Sequence, residues 1–104
     1  MLFTNGYIKE ELYDIIINNI DIIQVSIDGP QELHNRFRKN PNVFQRAINT
    51  LEILKDHSLK KYISMSITKD NVEYIPYVSA LAEVYHAKLR VSPPVPVGRY
   101  SGKD

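Results

Sequence analysis

Hydrophobic and polar residues alternate along residues 22–28, a segment that ends at the turn dipeptide Gly29-Pro30. Alternation with a period of two is typical of a strand that buries one face. The polar positions of this segment therefore lie together on the other face. In parallel α/β folds ligands bind at the carboxyl ends of the strands, so we expect a functional site near Asp28.

Three further segments predict strands, and helical patterns separate them. Apolar residues recur every three or four positions in these intervening segments, which is typical of amphipathic helices. We predict strands at residues 2–4, 22–28, 62–68 and 88–92, helices at residues 8–19 and 42–57, and a third helix that follows Asn71 and ends near Tyr85.

Asparagines mark several of the predicted helix ends. The pair at residues 18–19 predicts a left-handed C-cap, and Asn42 and Asn71 are predicted N-caps. Because Pro76 removes a helix hydrogen bond, the third helix either has an irregular first turn or begins nearer Tyr74.

A polar segment at residues 29–42 follows the central strand and predicts a long loop. It contains three asparagines and three basic residues but few apolar ones. Long loops in small domains are more often functional than not.

The β-α-β-α-β-α-β order predicts an α/β fold with parallel strands and right-handed crossovers. Strands paired in sequence order would place all three helices on one face, and the other face is polar. This pattern favours an arc of a barrel over a doubly wound sheet, which needs two apolar faces. The alternative is a face that is merely solvated. We predict Phe3, Ile23, Val25, Ile27, Ile63, Met65, Ile67, Leu89 and Val91 on the helix side, and Thr4, Gln24, Ser26, Asp28, Ser64, Ser66, Thr68, Arg90 and Ser92 on the polar side.

Length and charge limit the function classes. The 104 residues are 43% apolar and 24% charged, which suits one small domain but not the roughly 200 residues of a complete α/β barrel. A net charge of +1 indicates neither a nucleic-acid partner nor an anionic membrane surface. We see no signal peptide or membrane span and expect a cytoplasmic protein. Residues 1–92 form the predicted domain, and residues 93–104 a proline-rich extended tail.

The sequence does not favour a metal-binding site or a catalytic nucleophile. The absence of cysteine excludes disulfides, thiolate metal sites and cysteine nucleophiles within this chain. His34, His57 and His86 lack the spacing of metal ligands, so we expect no metal site. Ser26 does not lie in a nucleophile elbow, so a hydrolase is not favoured.

Six motifs in order resemble the central part of a radical S-adenosylmethionine enzyme. The nearest subgroup includes enzymes of PQQ synthesis, haem maturation, peptide modification and anaerobic sulfatase maturation. The resemblance covers nearly the whole chain. The motifs are Thr4-Asn5-Gly6, Val25-Ser26-Ile27-Asp28-Gly29-Pro30, Glu32-x-His34-Asn35-x-x-Arg38, the helix with Phe44, Thr68-x-x-Asn71 and Pro94-x-Pro96-x-Gly98-Arg99.

The resemblance implies a fragment of a partial (β/α)6 TIM-like barrel, covering its strands three to six. In that family S-adenosylmethionine lies across the carboxyl-end lumen against a [4Fe-4S] cluster. The longer enzyme would reductively cleave the cofactor and start radical modification of a peptide or cofactor precursor. The family's Cys-x3-Cys-x2-Cys loop and Gly-Gly-Glu-Pro turn are absent, so this chain alone is expected to be inactive.

The resemblance also assigns candidate cofactor-binding residues. Ser26 and Asp28 match a pair near the cofactor's ribose and carboxylate, and a carboxylate can accept both ribose hydroxyl hydrogens. Arg38 matches an arginine whose fork can bind the methionine carboxylate. Asn35 departs from the family's aspartate, and Lys39-Asn40 replaces a common glycine. The other candidates lie at the lumen edge: Thr4, Asn5 and Thr68.

Two other function classes remain open at this point. The chain could be a cluster-free α/β module that binds a nucleoside or phosphate at the same strand ends. It could also act through self-association, including a homodimer, because an arc of barrel leaves two unpaired edges and one uncovered face.

Overall fold

The computed structural model describes residues 1–4 and 8–92. The predicted Asn5-Gly6 turn and the predicted tail at residues 93–104 lie outside these residues. Short 3₁₀ turns at Glu10–Leu12 and Val72–Tyr74 each precede a helix. The elements are β1 Leu2–Thr4, α1 Tyr13–Asn19, β2 Ile22–Ser26, α2 Gln31–Arg38, α3 Val43–Leu54, β3 Lys60–Ser66, α4 Ile75–Val84 and β4 Lys88–Ser92.

The four strands form one parallel sheet in the order β1-β2-β3-β4. This confirms the predicted α/β class, the parallel pairing and the sequential strand order. Parallel neighbours joined by right-handed crossovers place the connecting helices on one face of the sheet. Hydrogen bonds continue past the strand ends, from the Ile27 amide to the Ser64 carbonyl and from the Ile67 amide to the Ser92 carbonyl.

The core lies between that face and the helices. Ile23, Val25 and Ile27 are fully buried, as are Ile63 and Met65 on the next strand. They pack in one cluster with apolar side chains of α1, α3 and α4. Full burial of such a side chain stabilises the fold by about 1.5–3 kcal/mol. The alternation read from the sequence of β2 and β3 therefore identifies the core correctly.

The opposite face of the sheet, here called the open face, is covered by none of the described helices. Its side chains are partly or fully exposed, as predicted for the polar positions within β2, β3 and β4. The prediction also places Asp28 and Thr68 on this face, but both lie beyond the ends of their strands and Asp28 is buried. From the strand register, the open face consists of Phe3, Ile22, Gln24, Ser26, Lys60, Tyr62, Ser64, Ser66, Lys88, Arg90 and Ser92.

The predicted faces of β1 are wrong by one residue. Thr4 pairs with Val25 and therefore lies on the helix side, whereas Phe3 pairs with Gln24 on the open face. Phe3 is 68% exposed. A strand of three residues contains too little alternation to define its register, and a shift of one position exchanges its faces.

The predicted loop at residues 29–42 is also wrong, because α2 occupies its middle. Pro30 stands at the N-cap, Glu32 lies in the first turn and Arg38 in the last, which suits the helix dipole. Leu33 and His34 are buried. A Cβ on Gly29 would approach the Leu33 side chain to 2.9 Å, so a glycine allows this tight entry into the helix.

The first predicted helix ends at Asn19 as predicted, but its start and its cap differ from the structure. α1 begins only at Tyr13, and it buries Tyr13 and Ile16; Ile15 in this helix and Leu12 just before it are exposed. Asn19 lies within α1 and its amide donates to the Ile15 carbonyl, while the C-cap Ile20 is extended. The predicted left-handed cap is therefore wrong here.

The two later helices agree better with the sequence. α3 buries the predicted apolar stripe, although Asn42 makes no capping bond with its side chain. α4 begins at Ile75 with Pro76 in its first turn, where a missing amide costs nothing. The regular helix thus starts next to Tyr74, and the 3₁₀ turn before it is the irregular first turn, so each predicted alternative describes part of the structure. Across residues 1–4 and 8–92, no helix has the length and apolar character needed to cross a membrane.

Lys39 provides a test of the backbone at the end of α2. It adopts the left-handed conformation (φ 55°), whereas Lys55, at the end of α3, is right-handed (φ −52°). We expect Lys39→Gly to raise the free energy of unfolding by about 0.5–1 kcal/mol, because glycine avoids the Cβ penalty. Urea denaturation measures this change.

Lys55→Gly is the matched control, because it removes the same charge and side chain at a right-handed helix end. It should lower the unfolding free energy by up to about 1 kcal/mol. Equal destabilisation by both substitutions would contradict the left-handed cap.

Candidate functional site

Asp28, just beyond β2, holds Arg38 at the carboxyl edge of the sheet. Oδ2 of Asp28 accepts a hydrogen bond from Arg38 Nε at 3.0 Å and lies 2.9 Å from Arg38 Nη2. Oδ1 accepts from the backbone amide of Ser66 at 3.1 Å. The Asp28 side chain is 5% exposed and that of Arg38 is 30% exposed. The structure thus brings two of the predicted site residues into direct contact.

Asn71 joins the ends of β2 and β3. Its Nδ2 donates to the Asp28 carbonyl at 2.9 Å and to the Ser66 carbonyl at 2.8 Å. Its Oδ1 accepts from the Thr68 amide at 2.7 Å. Asn71 is fully buried, and at its N-cap position the side chain makes no capping bond. The sequence suggested a helix cap, but the side chain serves the strands instead.

His34, from α2, contacts the same turn. Its Nδ1 accepts a hydrogen bond from the Asp28 amide at 2.9 Å, so the neutral ring carries its proton on Nε2. Nε2 is buried and has no hydrogen-bond partner among the described residues. Burial lowers the pKa of His34 and the nearby Arg38 charge lowers it further, while Asp28 opposes both effects.

Asn35 connects α2 to the start of α3. Its Oδ1 accepts from the Phe44 amide at 2.9 Å, and its Nδ2 donates to the Pro41 carbonyl at 2.9 Å. Asn35 thus caps α3 in place of Asn42. An aspartate at this position could accept from the Phe44 amide but could not donate to the Pro41 carbonyl. The asparagine that replaces the aspartate of the family motif therefore provides one additional hydrogen bond at the start of α3.

Three comparisons with curated proteins agree on one superfamily. The chain is 37% identical over 60 residues to the AdoMet-dependent heme synthase of Oleidesulfovibrio alaskensis, covering 57% of this chain and 16% of that protein. It is 35% identical over 77 residues to the serine-type anaerobic sulfatase-maturating enzyme of Bacteroides thetaiotaomicron, covering 68% and 18%. It is 31% identical over 112 residues to the AdoMet-dependent heme synthase of Methanosarcina barkeri, covering 100% and 31%.

The chain belongs to the radical S-adenosylmethionine superfamily. It spans between 16% and 31% of the length of these relatives. No family profile matches the sequence.

The cluster of radical S-adenosylmethionine enzymes does not fit the residues present. The sequence contains no cysteine. Within residues 1–4 and 8–92, no group of three histidine or acidic side chains is arranged to hold a metal ion. The redox part of radical S-adenosylmethionine chemistry therefore has no ligands in this chain.

The cofactor itself fits the carboxyl edge better. Arg38 presents a partly exposed guanidinium, and Asp28 engages only its Nε and Nη2 edge. Ser26 lies on the open face two residues before Asp28. A guanidinium matches the carboxylate of S-adenosylmethionine, and a serine hydroxyl matches the oxygens of its ribose.

The remaining predicted residues are placed less favourably. Thr68 Oγ1 donates to Asn71 Oδ1 at 3.3 Å and accepts from the Asp70 amide at 3.2 Å, so it stabilises its own turn. Thr4 lies on the helix side of β1, and Asn5 lies outside the described residues. The direct cofactor roles of these three stay predictions.

The bridging role of Asn71 can be tested by Asn71→Asp. The substitution removes both donated hydrogen bonds and places carboxylate oxygen against the Asp28 and Ser66 carbonyls. We expect a loss of about 3 kcal/mol or more in the free energy of unfolding, measured by urea denaturation.

Asn49→Asp is the control for this change. Asn49 is exposed on α3 and accepts from Gln45 Nε2, a bond that an aspartate keeps. It should change stability by less than about 0.5 kcal/mol. A similarly small effect at Asn71 would show that the bridge is unimportant.

The buried neutral His34 predicts a loss of stability in acid. Below pH about 6.5 His34 is protonated in the unfolded chain. In the folded chain the lowered pKa of His34 keeps the ring neutral to lower pH. The unfolding free energy should therefore fall with decreasing pH, with a contribution of up to about 1.4 kcal/mol per pH unit.

His34→Asn should remove this contribution, since its Oδ1 can still accept from the Asp28 amide but does not titrate. His57→Asn, at an exposed position, should keep it. Stability curves between pH 5 and 7 make the comparison, and parallel curves for wild type and His34→Asn would refute the prediction.

Proposed function

We propose that this chain contributes part of the S-adenosylmethionine site of a radical S-adenosylmethionine enzyme that modifies a cofactor precursor or a protein. The observation that carries the proposal is the Asp28–Arg38 pair at the carboxyl edge of a parallel sheet. The relatives named as heme synthases and as a sulfatase-maturating enzyme support both substrate classes.

In this proposal Arg38 binds the methionine carboxylate and Asp28 orients Arg38. Asp28 is nearly inaccessible and both of its oxygens are already bonded, which favours this positioning role over direct contact with the ribose. Ser26 is exposed enough on the open face to reach the ribose instead. Thr4, Asn5 and Thr68 remain proposed lumen-edge residues.

S-adenosylmethionine and a [4Fe-4S] cluster would together supply the radical chemistry, with cluster ligands from residues outside these 104. The 104-residue chain would then bind and orient the cofactor without transforming it. We place this function in the cytoplasm, as the sequence predicts, and propose no nucleic-acid or membrane partner.

The exposed apolar side chains at the β1 edge of the sheet support the proposal that this sheet is an arc of a barrel and that another segment of polypeptide packs against this edge. A groove of about 550 Å³ runs along β1 and α1. Phe3, Leu12 and Ile15 line it and are all exposed. A preceding strand and helix of the same polypeptide would cover these side chains and pair the free edge of β1. Pairing with a second copy of the chain is the alternative use of the groove.

Calorimetric titration with S-adenosylmethionine tests the proposed site. We expect measurable binding by the 104-residue chain and at least fivefold weaker binding by Arg38→Lys, because lysine keeps the charge beside Asp28 but loses the fork. Arg36→Lys, the same change at an exposed position on α2, should leave the affinity within twofold.

Two results would count against the proposal. Equal affinities for all three proteins would remove Arg38 from the site. An upstream reading frame without a Cys-x3-Cys-x2-Cys run would exclude a radical enzyme, and tight Arg38-dependent binding in that case would favour a cluster-free binding module.

A further inference from the structure

Arg90 lies on the open face in a defined orientation. Its guanidinium carbon is 3.7 Å from the centroid of the Tyr62 ring, and its Nη1 donates to Gln24 Oε1 at 3.1 Å. The side chain is thus held by a cation–π contact on one side and a hydrogen bond on another. Nε and Nη2 have no hydrogen-bond partner among the described residues.

The charges around Arg90 are all of one sign. Lys88 pairs with Tyr62 in the register of the sheet, and Lys60 precedes Tyr62 by two residues on the same face. The strand positions of the open face carry three cations and no carboxylate, although the whole chain has a net charge of only +1. Opposite charges on neighbouring strands would stabilise a sheet, whereas like charges weaken it.

A purely structural role does not account for this arrangement. An exposed cation–π contact contributes about 0.5–1 kcal/mol to stability. An acidic side chain on a neighbouring strand would add further stability and would leave the contact between Arg90 and Tyr62 intact. Instead, the exposed guanidinium keeps Nε and Nη2 available for a ligand. This is the geometry with which arginine binds carboxylates and phosphates bidentately.

We propose that Arg90, held by Tyr62 and Gln24, anchors a binding site for an oxyanion-bearing small ligand on the open face. Arg90 is the binding residue, and Tyr62 and Gln24 are positioning residues. Lys60 and Lys88 add attraction for a ligand with more than one anionic group.

The site adjoins the edge at which the cofactor is proposed to bind. Arg90 pairs with Ser64, and Ser64 pairs with Ser26, so these three residues stand side by side across the open face. Neighbouring strands are about 4.8 Å apart, which places Arg90 roughly 10 Å from Ser26. If Ser26 contacts S-adenosylmethionine, the anionic ligand at Arg90 is the substrate. This identification of the ligand rests on the proposed function, whereas the proposal that Arg90 binds an anion is independent of it.

Nuclear magnetic resonance titration of the ¹⁵N-labelled 104-residue chain tests the site. The probe is benzene-1,3,5-tricarboxylate, with inorganic phosphate as a second oxyanion and benzamide as a neutral aromatic. We expect the tricarboxylate to shift the Arg90 Nε–H signal and the amides of β3 and β4 beside it. Benzamide should shift neither. Whichever of the two oxyanions binds more tightly indicates whether the site prefers a carboxylate or a phosphate group.

Matched variants distinguish specific binding at Arg90 from general electrostatic attraction of the anion to the positively charged surface. Arg90→Gln should raise the dissociation constant about tenfold or more, since it removes charge-assisted hydrogen bonds. Arg36→Gln removes the same charge from α2 and should raise it less than twofold. Tyr62→Leu should weaken binding, whereas Tyr62→Phe, which keeps the ring, should not.

Equal weakening by Arg90→Gln and Arg36→Gln would overturn the proposal, as would the absence of binding by both oxyanions. None of these measurements involves S-adenosylmethionine. Failure of cofactor binding with intact tricarboxylate binding would therefore refute the proposed function alone, and the reverse result would refute the anion site alone.

Discussion

One buried side-chain amide connects the two central strands of this protein where they end. Carbonyl groups at the ends of parallel strands need hydrogen-bond donors once the ladder stops. Asn71 donates to two of them, at Asp28 and Ser66, and its own oxygen is satisfied by the Thr68 amide. The turn after β2, the turn after β3 and the start of α4 are therefore fixed relative to one another. Of the candidate site residues, Asp28 and Thr68 depend directly on that connection.

The Asp28–Arg38 pair is better explained by positioning than by stability. An ion pair with a buried carboxylate loses solvation energy that its Coulomb attraction only partly returns, and apolar replacements are often as stable. Asp28 offsets this loss with a backbone hydrogen bond from Ser66, which also sets the direction of its carboxylate. The result is a guanidinium whose inner edge is fixed and whose outer part faces solvent.

The sequence predicted the elements whose burial is periodic and missed those that depend on particular partners. β2 and β3 alternate long enough to define their faces, and α3 repeats its apolar residues over three turns. α2 has only a few apolar positions, so its polar residues indicated a loop. The bonds of Asn35 and Asn71 were not predictable, because an asparagine before a helix suggests a local cap, while its actual partners come from segments that only the fold brings near. The same holds for β1, whose register is set by β2.

Both proposed sites lie on surfaces where water now competes with the ligand. Arg38 and Arg90 are partly or fully exposed, and an exposed charge interacts through a high dielectric and is screened by salt. If further strands close a lumen around the open face, the same guanidinium groups will act in a lower dielectric with the same orientation. Their attraction for anions then increases, although no contact within this chain changes. Affinities measured on the 104-residue chain are therefore lower limits for a closed barrel, and the ratios between the arginine and glutamine variants should be larger there as well, because the same lower dielectric strengthens the interaction that the substitution removes.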